Sequence, residues 1–259
     1  MSAKSFRLGL VVQARMGSQR LPEKVILPMI GNNSILDIMI SRLKCLESKA
    51  PIIIASGELP KNAALQLAAA RNGVRFFSGQ ENDVLQRFID CADQFQFTKV
   101  LRVCADNPFI DIELMDNLIA QYARQDYDYV SYSIHGKPTI LSHYGFFAEL
   151  VSVDALIRAR KASNDTLDLE HVTRFIYNNQ DLFSVKYEEV PLDISAAKNI
   201  RLTVDTKADF DNATQILEKL LTSKEITEYN HRDVLAAIAQ LNPQLKESMY
   251  DQIVENSKS

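Results

Sequence analysis

Along the first half of the chain, short apolar runs alternate with longer stretches in which apolar residues recur every three or four positions. The short runs suit strands buried on both faces, and the three-to-four spacing suits helices with one buried stripe. The pattern predicts strands at 8–13, 51–55, 74–77, 99–104 and 127–131, with helices at 34–46, 60–72, 83–95 and 111–124 between them. Start signals fit these helices: Ser34 can cap, Pro60 can occupy a first turn, and Asp111 with Glu113 puts negative charge at a positive helix end. Such alternation is the signature of βαβ units, so the expected class is α/β, a mainly parallel sheet with helices on both faces.

The rhythm loosens over 133–144, where Gly136, Pro138, His135 and His143 interrupt any period, as in a loop or arm leaving the sheet. Beyond it the pattern predicts helices at 152–162 and 168–178, strands at 182–188 and 200–204, and helices at 207–221, 232–240 and 243–254. No internal repeat or linker-like composition divides the chain. One domain over 1–259, with a small inserted arm at about 133–190, is the simplest organisation.

Composition narrows the function. With 259 residues, 46% of them hydrophobic, the chain can bury a substantial core. A net charge of -4 argues against general nucleic-acid binding, which needs a broad basic face. The apolar run at Leu8 is too short for a signal-peptide core and no stretch approaches membrane-spanning length, so a cytoplasmic protein without membrane contact is expected. Cys45, Cys91 and Cys104 show no C-x-x-C spacing, which disfavours a disulfide framework or zinc site. Cys91 shares a helical face with Val84, Leu85, Phe88 and Phe95 and reads as a core residue. The four histidines form no H-x-x-x-H pair.

The charge is unevenly spread. Residues 1–24 carry Lys4, Arg7, Arg15, Arg20 and Lys24 against the single acid Glu23, a local +4. Three of the five cations fall in Gln13-Ala14-Arg15-Met16-Gly17-Ser18-Gln19-Arg20-Leu21-Pro22-Glu23-Lys24, directly after the first strand. Gly17 and Ser18 allow tight turns with free N–H groups, the cations can neutralise a polyphosphate, and Pro22 fixes the backbone before Lys24. In open parallel sheets ligands bind beyond the carboxyl ends of the strands. Asp106 and Asp205 each follow a predicted strand there, and two carboxylates facing a phosphate loop suit Mg²⁺. Taken singly, each reads better as a turn or helix-cap aspartate, and only their shared place after strands argues for the metal. Asp126-Tyr127-Asp128 has the letters of a glycosyltransferase metal motif but precedes its strand.

Three motifs in order carry a family resemblance. Residues 13–24 resemble the opening signature of the CMP-sugar synthetase (acylneuraminate-type) cytidylyltransferases, especially the SpsF-like spore-coat-polysaccharide branch. Arg102-Val103-Cys104-Ala105-Asp106-Asn107-Pro108-Phe109-Ile110-Asp111 is similar to that family's second motif, and Arg201-Leu202-Thr203-Val204-Asp205-Thr206-Lys207-Ala208-Asp209-Phe210 to its carboxyl-terminal one. Weaker echoes lie at Asp83-Val84-Leu85-Gln86-Arg87-Phe88 and Glu170-His171-Val172-Thr173.

The resemblance implies a Rossmann-like nucleotidyltransferase fold, Mg²⁺ dependence and a homodimer with a protruding arm. It also implies CMP transfer from CTP to an acidic 2-keto sugar, sialic-acid-like or octulosonate-like, with release of pyrophosphate, for surface polysaccharide biosynthesis. By motif position Ala14, Arg15, Gly17, Ser18, Arg20 and Lys24 would hold the triphosphate, with Ser56 and Arg87 lining the nucleotide pocket. Arg15, Lys24 and Asp106 would carry the chemistry, and Asp106 and Asp205 would ligate metal. Glu149, His171 and Arg174 fall on the acceptor side, although a histidine in an amphipathic helix is more often structural and Arg174 reads equally as solvent-facing. Two departures stand out: Ala105 replaces the usual Gly, and Phe146-Phe147 replaces a more acidic stretch. The alternatives are a glycosyltransferase that consumes a nucleotide sugar and a non-catalytic CTP-binding homologue.

Overall fold

The computed structural model describes residues 6–256. Strand β1 (Leu8–Gln13) leads through the cationic loop to a small hairpin, β2 (Pro28–Ile30) and β3 (Asn33–Ser34), and then helix α1 (Ile35–Leu43). There follow β4 (Ile52–Ser56), α2 (Ala63–Arg71), β5 (Arg75–Ser78), α3 (Val84–Gln94), β6 (Lys99–Cys104) and α4 (Ile112–Tyr122). The second half holds β7 (Tyr129–Ile134), β8 (Lys137–Pro138), a 3-10 turn at Thr139–Leu141, β9 (Glu149–Ser152), α5 (Val153–Ala162), α6 (Thr166–Glu170), α7 (Arg174–Asn178) and β10 (Val185–Glu189). It closes with α8 (Leu192–Ala196), α9 (Lys207–Leu220), α10 (His231–Gln240) and α11 (Pro243–Asn256).

The main sheet runs β10-β7-β9-β6-β1-β4-β5, with β8 paired to β7. β1 pairs in parallel with β4 and β6, β4 with β5, and β10 with β7, whereas β9 runs antiparallel between β6 and β7. Because successive side chains point to opposite faces, β1 feeds both cores. Leu10 and Val12 pack with α1, α4, α9 and α10 on one face, and Val11 packs with α3, α5 and α7 on the other. Gly9 faces the second core, where a Cβ would stand 2.2 Å from the Phe97 ring. Ser34 caps α1 in a capping box with Asp37, and Asp111 caps α4, as the sequence predicts.

Three expectations are corrected. The 200–204 segment is extended but joins no ladder; Leu202 N–H bonds the His143 carbonyl at 2.7 Å and Val204 N–H that of Asp106 at 2.9 Å. Its apolar alternation reflects burial of Ile200, Leu202 and Val204 in the core that includes α1, α4 and α9. The 168–178 helix is two short helices, parted where His171 leaves helical geometry and buried Thr173 turns toward β9. β9 itself was not expected, because its first residue is a charged Glu149 in a buried strand. The span 133–190 threads back into the main sheet through β9 and β10, while α6 and α7 overlie the strand ends that hold the cleft.

Candidate active site

A cleft of about 720 Å³ opens at the carboxyl ends of β1 and β6. Its walls include Arg15, Ser18, Arg20 and Lys24 of the cationic loop, Asp106 after β6 and Asp205 before α9. A side chamber of about 330 Å³ continues from it past Asn107, His143, Gly145 and Glu149. This is the edge of a parallel sheet at which ligands bind.

Lys24 is the hub. Its ammonium lies 2.9 Å from Asp205 Oδ1, 3.5 Å from Asp106 Oδ2 and 2.6 Å from the Val204 carbonyl. The two aspartates thus meet across one cation, which their sequence separation could not reveal. Asp205 also receives Arg20 at 3.3 Å and the buried Arg201 at 2.8 Å. Burial alone would raise its pKa, but Lys24, Arg20 and Arg201 hold the carboxyl below the usual range. Thr206 caps α9 in a capping box with Asp209, whose carboxylate also receives Arg201 and the Asp205 N–H, so the backbone around Asp205 is fixed.

Around the loop, Met16 N–H bonds Asn62 Oδ1 at 3.1 Å, and Ser18 N–H turns back on the Met16 carbonyl at 3.0 Å. The Ser18 amide is therefore used within the loop, contrary to the expectation that it is free. Ser18 and Ala14 line the cleft, whereas Gly17 faces Lys61, where a Cβ would stand 3.3 Å from the ammonium. Arg15 is half exposed and pairs with the exposed Glu170 at 3.0 Å, and Arg20 also donates to Asn256.

Ser56 and Arg87 lie behind the loop, outside the cleft walls. Both are buried; Ser56 Oγ and Arg87 Nε have no hydrogen-bond partner among the described residues, and burial pulls the Arg87 guanidinium down to about 10. Arg87 donates to the Gln80 carbonyl at 2.8 Å. In front of them Glu81 bonds Lys61 at 2.9 Å and Asn62 at 3.0 Å, close over Gly57.

The acceptor-side residues divide. His171 and Arg174 line the cleft, Arg174 paired to Asp168 at 2.5 Å. Burial, with Arg102, Arg174 and Arg15 nearby, outweighs Glu170 and pulls the His171 pKa down, which favours the neutral ring. Glu149 is 3% exposed and fully engaged: it receives Arg102, Tyr129 OH at 2.6 Å and Thr173 Oγ1 at 2.7 Å. It holds Arg102 at the wall of the side chamber.

Two residues of the cleft, Arg102 and Gln13, stand first in their motifs yet receive no role from the sequence. Arg102 points from β6 and donates twice to Gln13 Oε1, at 3.0 and 2.9 Å. A guanidinium only donates, so the Gln13 carbonyl must face it and the Gln13 amide nitrogen is left for the cleft that Gln13 lines. An arginine inside an apolar run was the available clue.

Ala105 is buried without a positive φ, so its extra methyl costs no backbone strain. Asp128 sits at the amino end of β7, the far end from the cleft, where it bonds Ser184 N–H and Arg158. The Asp126-Tyr127-Asp128 letters therefore serve no metal in the cleft. Cys91 is core, its thiol pushed up to about 12 by burial.

A parallel sheet with a cationic loop after its first strand and paired carboxylates across the cleft defines a nucleotidyltransferase. The chain belongs to the cytidylyltransferase family, whose model matches residues 10–254. It is 32% identical over 214 residues to the spore coat polysaccharide biosynthesis protein SpsF of Bacillus subtilis, covering 81% of this chain and 85% of that one. It is 37% identical over 200 residues to an uncharacterized protein, MJ1063, of Methanocaldococcus jannaschii, covering 77% and 79% respectively. Among solved structures it is similar to a cytidylyltransferase from Leptospira borgpetersenii (TM-score 0.80, 24% identity, 93% of this chain and 96% of that one). It also shares the fold of a CMP:2-keto-3-deoxy-manno-octonic acid synthetase complexed with CTP (TM-score 0.61, 14% identity, 82% and 98%). No helix among the described residues is long and apolar enough to cross a membrane.

Proposed function

We propose that this cytidylyltransferase transfers CMP from CTP to a hydroxyl of an acidic 2-keto sugar and releases pyrophosphate. The observation that carries the reading is the meeting of Lys24 with Asp106 and Asp205 beneath a loop bearing Arg15 and Arg20. In the reaction the acceptor oxygen bonds to the α-phosphorus as the bond to the β-phosphate oxygen breaks. Negative charge builds on the leaving pyrophosphate, so alignment and neutralisation by fixed cations supply most of the catalysis. Arg15, Arg20 and Lys24 are assigned that work, and His171, favoured neutral by its surroundings, is assigned the acceptor's hydroxyl proton.

Asp106 and Asp205 fit a divalent cation of the Mg²⁺ type: both are carboxylates, they already share one positive charge, and Mg²⁺ needs only one or two such ligands beside phosphate and water. When bound, the metal would neutralise phosphate oxygens. Arg174, a cation on the cleft wall beyond the triphosphate loop, supports an acidic acceptor. The testing experiment measures pyrophosphate from CTP across a panel of 2-keto sugar acids and neutral sugars. Release that requires a sugar acid supports the proposal, and release with neutral sugars alone overturns the acidic acceptor.

A further inference from the structure

The Lys24 ammonium occupies an oxygen cage of the kind a divalent cation uses: two carboxylates and a backbone carbonyl, all within 3.5 Å, on a side chain only 11% exposed. The local charge is already balanced. Lys24, Arg20 and Arg201 face the carboxylates of Asp106, Asp205 and Asp209, three positive charges against three negative. A divalent ion entering this arrangement could not reach both Asp106 and Asp205 at about 2.1 Å while an ammonium lies between them.

We propose that Lys24 is a built-in stand-in for the metal, holding Asp106 and Asp205 together in the free protein and leaving them only when a triphosphate offers its ammonium new oxygens. The cation then enters with the nucleotide, and the empty site neither collapses nor scavenges metal. Lys24 lines the same cleft as Arg15, Ser18 and Arg20, so a triphosphate held there would bring new oxygens to its ammonium. The inference rests on the divalent-metal reading of the two aspartates.

Mn²⁺, which shares the oxygen preference of Mg²⁺, provides a direct probe through its electron paramagnetic resonance signal. Free Mn²⁺ would be titrated against the wild-type chain, Lys24→Met and Lys24→Gln, first without nucleotide and then with CTP. The expected result is weak nucleotide-free binding by the wild type, at least tenfold tighter binding by both variants, and loss of that gain when Asp106→Asn is added. Lys24→Gln keeps a donor for the Val204 carbonyl and serves if Lys24→Met fails to fold. Wild-type protein that binds Mn²⁺ without nucleotide as tightly as the variants would overturn the stand-in role while leaving the metal site intact. Absence of binding in every protein, with or without CTP, would overturn the metal reading and this inference with it.

Discussion

Replacing Glu149 with leucine tests whether that residue positions Arg102. Glu149 accepts from three groups, the Arg102 guanidinium, Tyr129 OH and Thr173 Oγ1, and is 3% exposed. In Glu149→Leu the Arg102 charge, itself 5% exposed, keeps only the Gln13 carbonyl. Removing one partner of a buried ion pair costs about 3–5 kcal/mol, and the two hydroxyls left without their acceptor belong to the same loss, so about 4 kcal/mol is expected. At roughly 2–4 °C per kcal/mol for a chain of this size, the unfolding midpoint falls by about 8–16 °C. Adding Arg102→Met removes the uncompensated charge and should recover roughly half of the loss, since apolar replacement of both partners is far milder than breaking the pair. Thermal unfolding of the four proteins closes the cycle. A Glu149→Leu loss below about 1 kcal/mol, or a double variant less stable than the single one, would refute the account of this pair.

Gln13→Glu keeps the Arg102 bond but exchanges the cleft-facing donor for an acceptor; the Michaelis constant for the sugar should rise at least tenfold, with that for CTP changed less than twofold, in steady-state assays. His171→Gln should lower kcat. If His171 takes the proton, the wild-type rate falls as pH drops through its pKa, which lies below the ordinary 6.5, so activity holds down to about 6.5 and the variant loses that limb. Asp37 is held at about 2 in the fold, where hydrogen bonds from Ser34, Asn72 and Arg71 overcome burial, against 3.8 for the free group. Its contribution of about 2 kcal/mol is present above pH 3.8 and is lost as pH falls toward 2; Asp37→Asn should flatten that part of the acid-denaturation curve.

The first half of the fold was legible because β1, β4 and β6 are buried on both faces and α1, α3 and α4 carry apolar stripes and caps. The cationic loop and Asp106 could be placed at strand ends for the same reason. The second half resisted because burial there is polar. Glu149 opens a buried strand that a hydrophobicity pattern reads as broken, and Thr173 splits a helix to reach Glu149. Asp205 was found for a reason the structure changes: it follows an extended segment seated on the His143 and Asp106 carbonyls, not a strand. What no spacing could show is that Lys24 would join it to Asp106.

The most direct test of that convergence is pyrophosphate release from CTP, with Mg²⁺ and a panel of 2-keto sugar acids, by the wild type and by Asp106→Asn, each checked for folding by circular dichroism. The account predicts release that needs both metal and sugar acid and is abolished in a folded Asp106→Asn variant. Folded Asp106→Asn protein with wild-type turnover, or equal release from UTP and ATP, would contradict it.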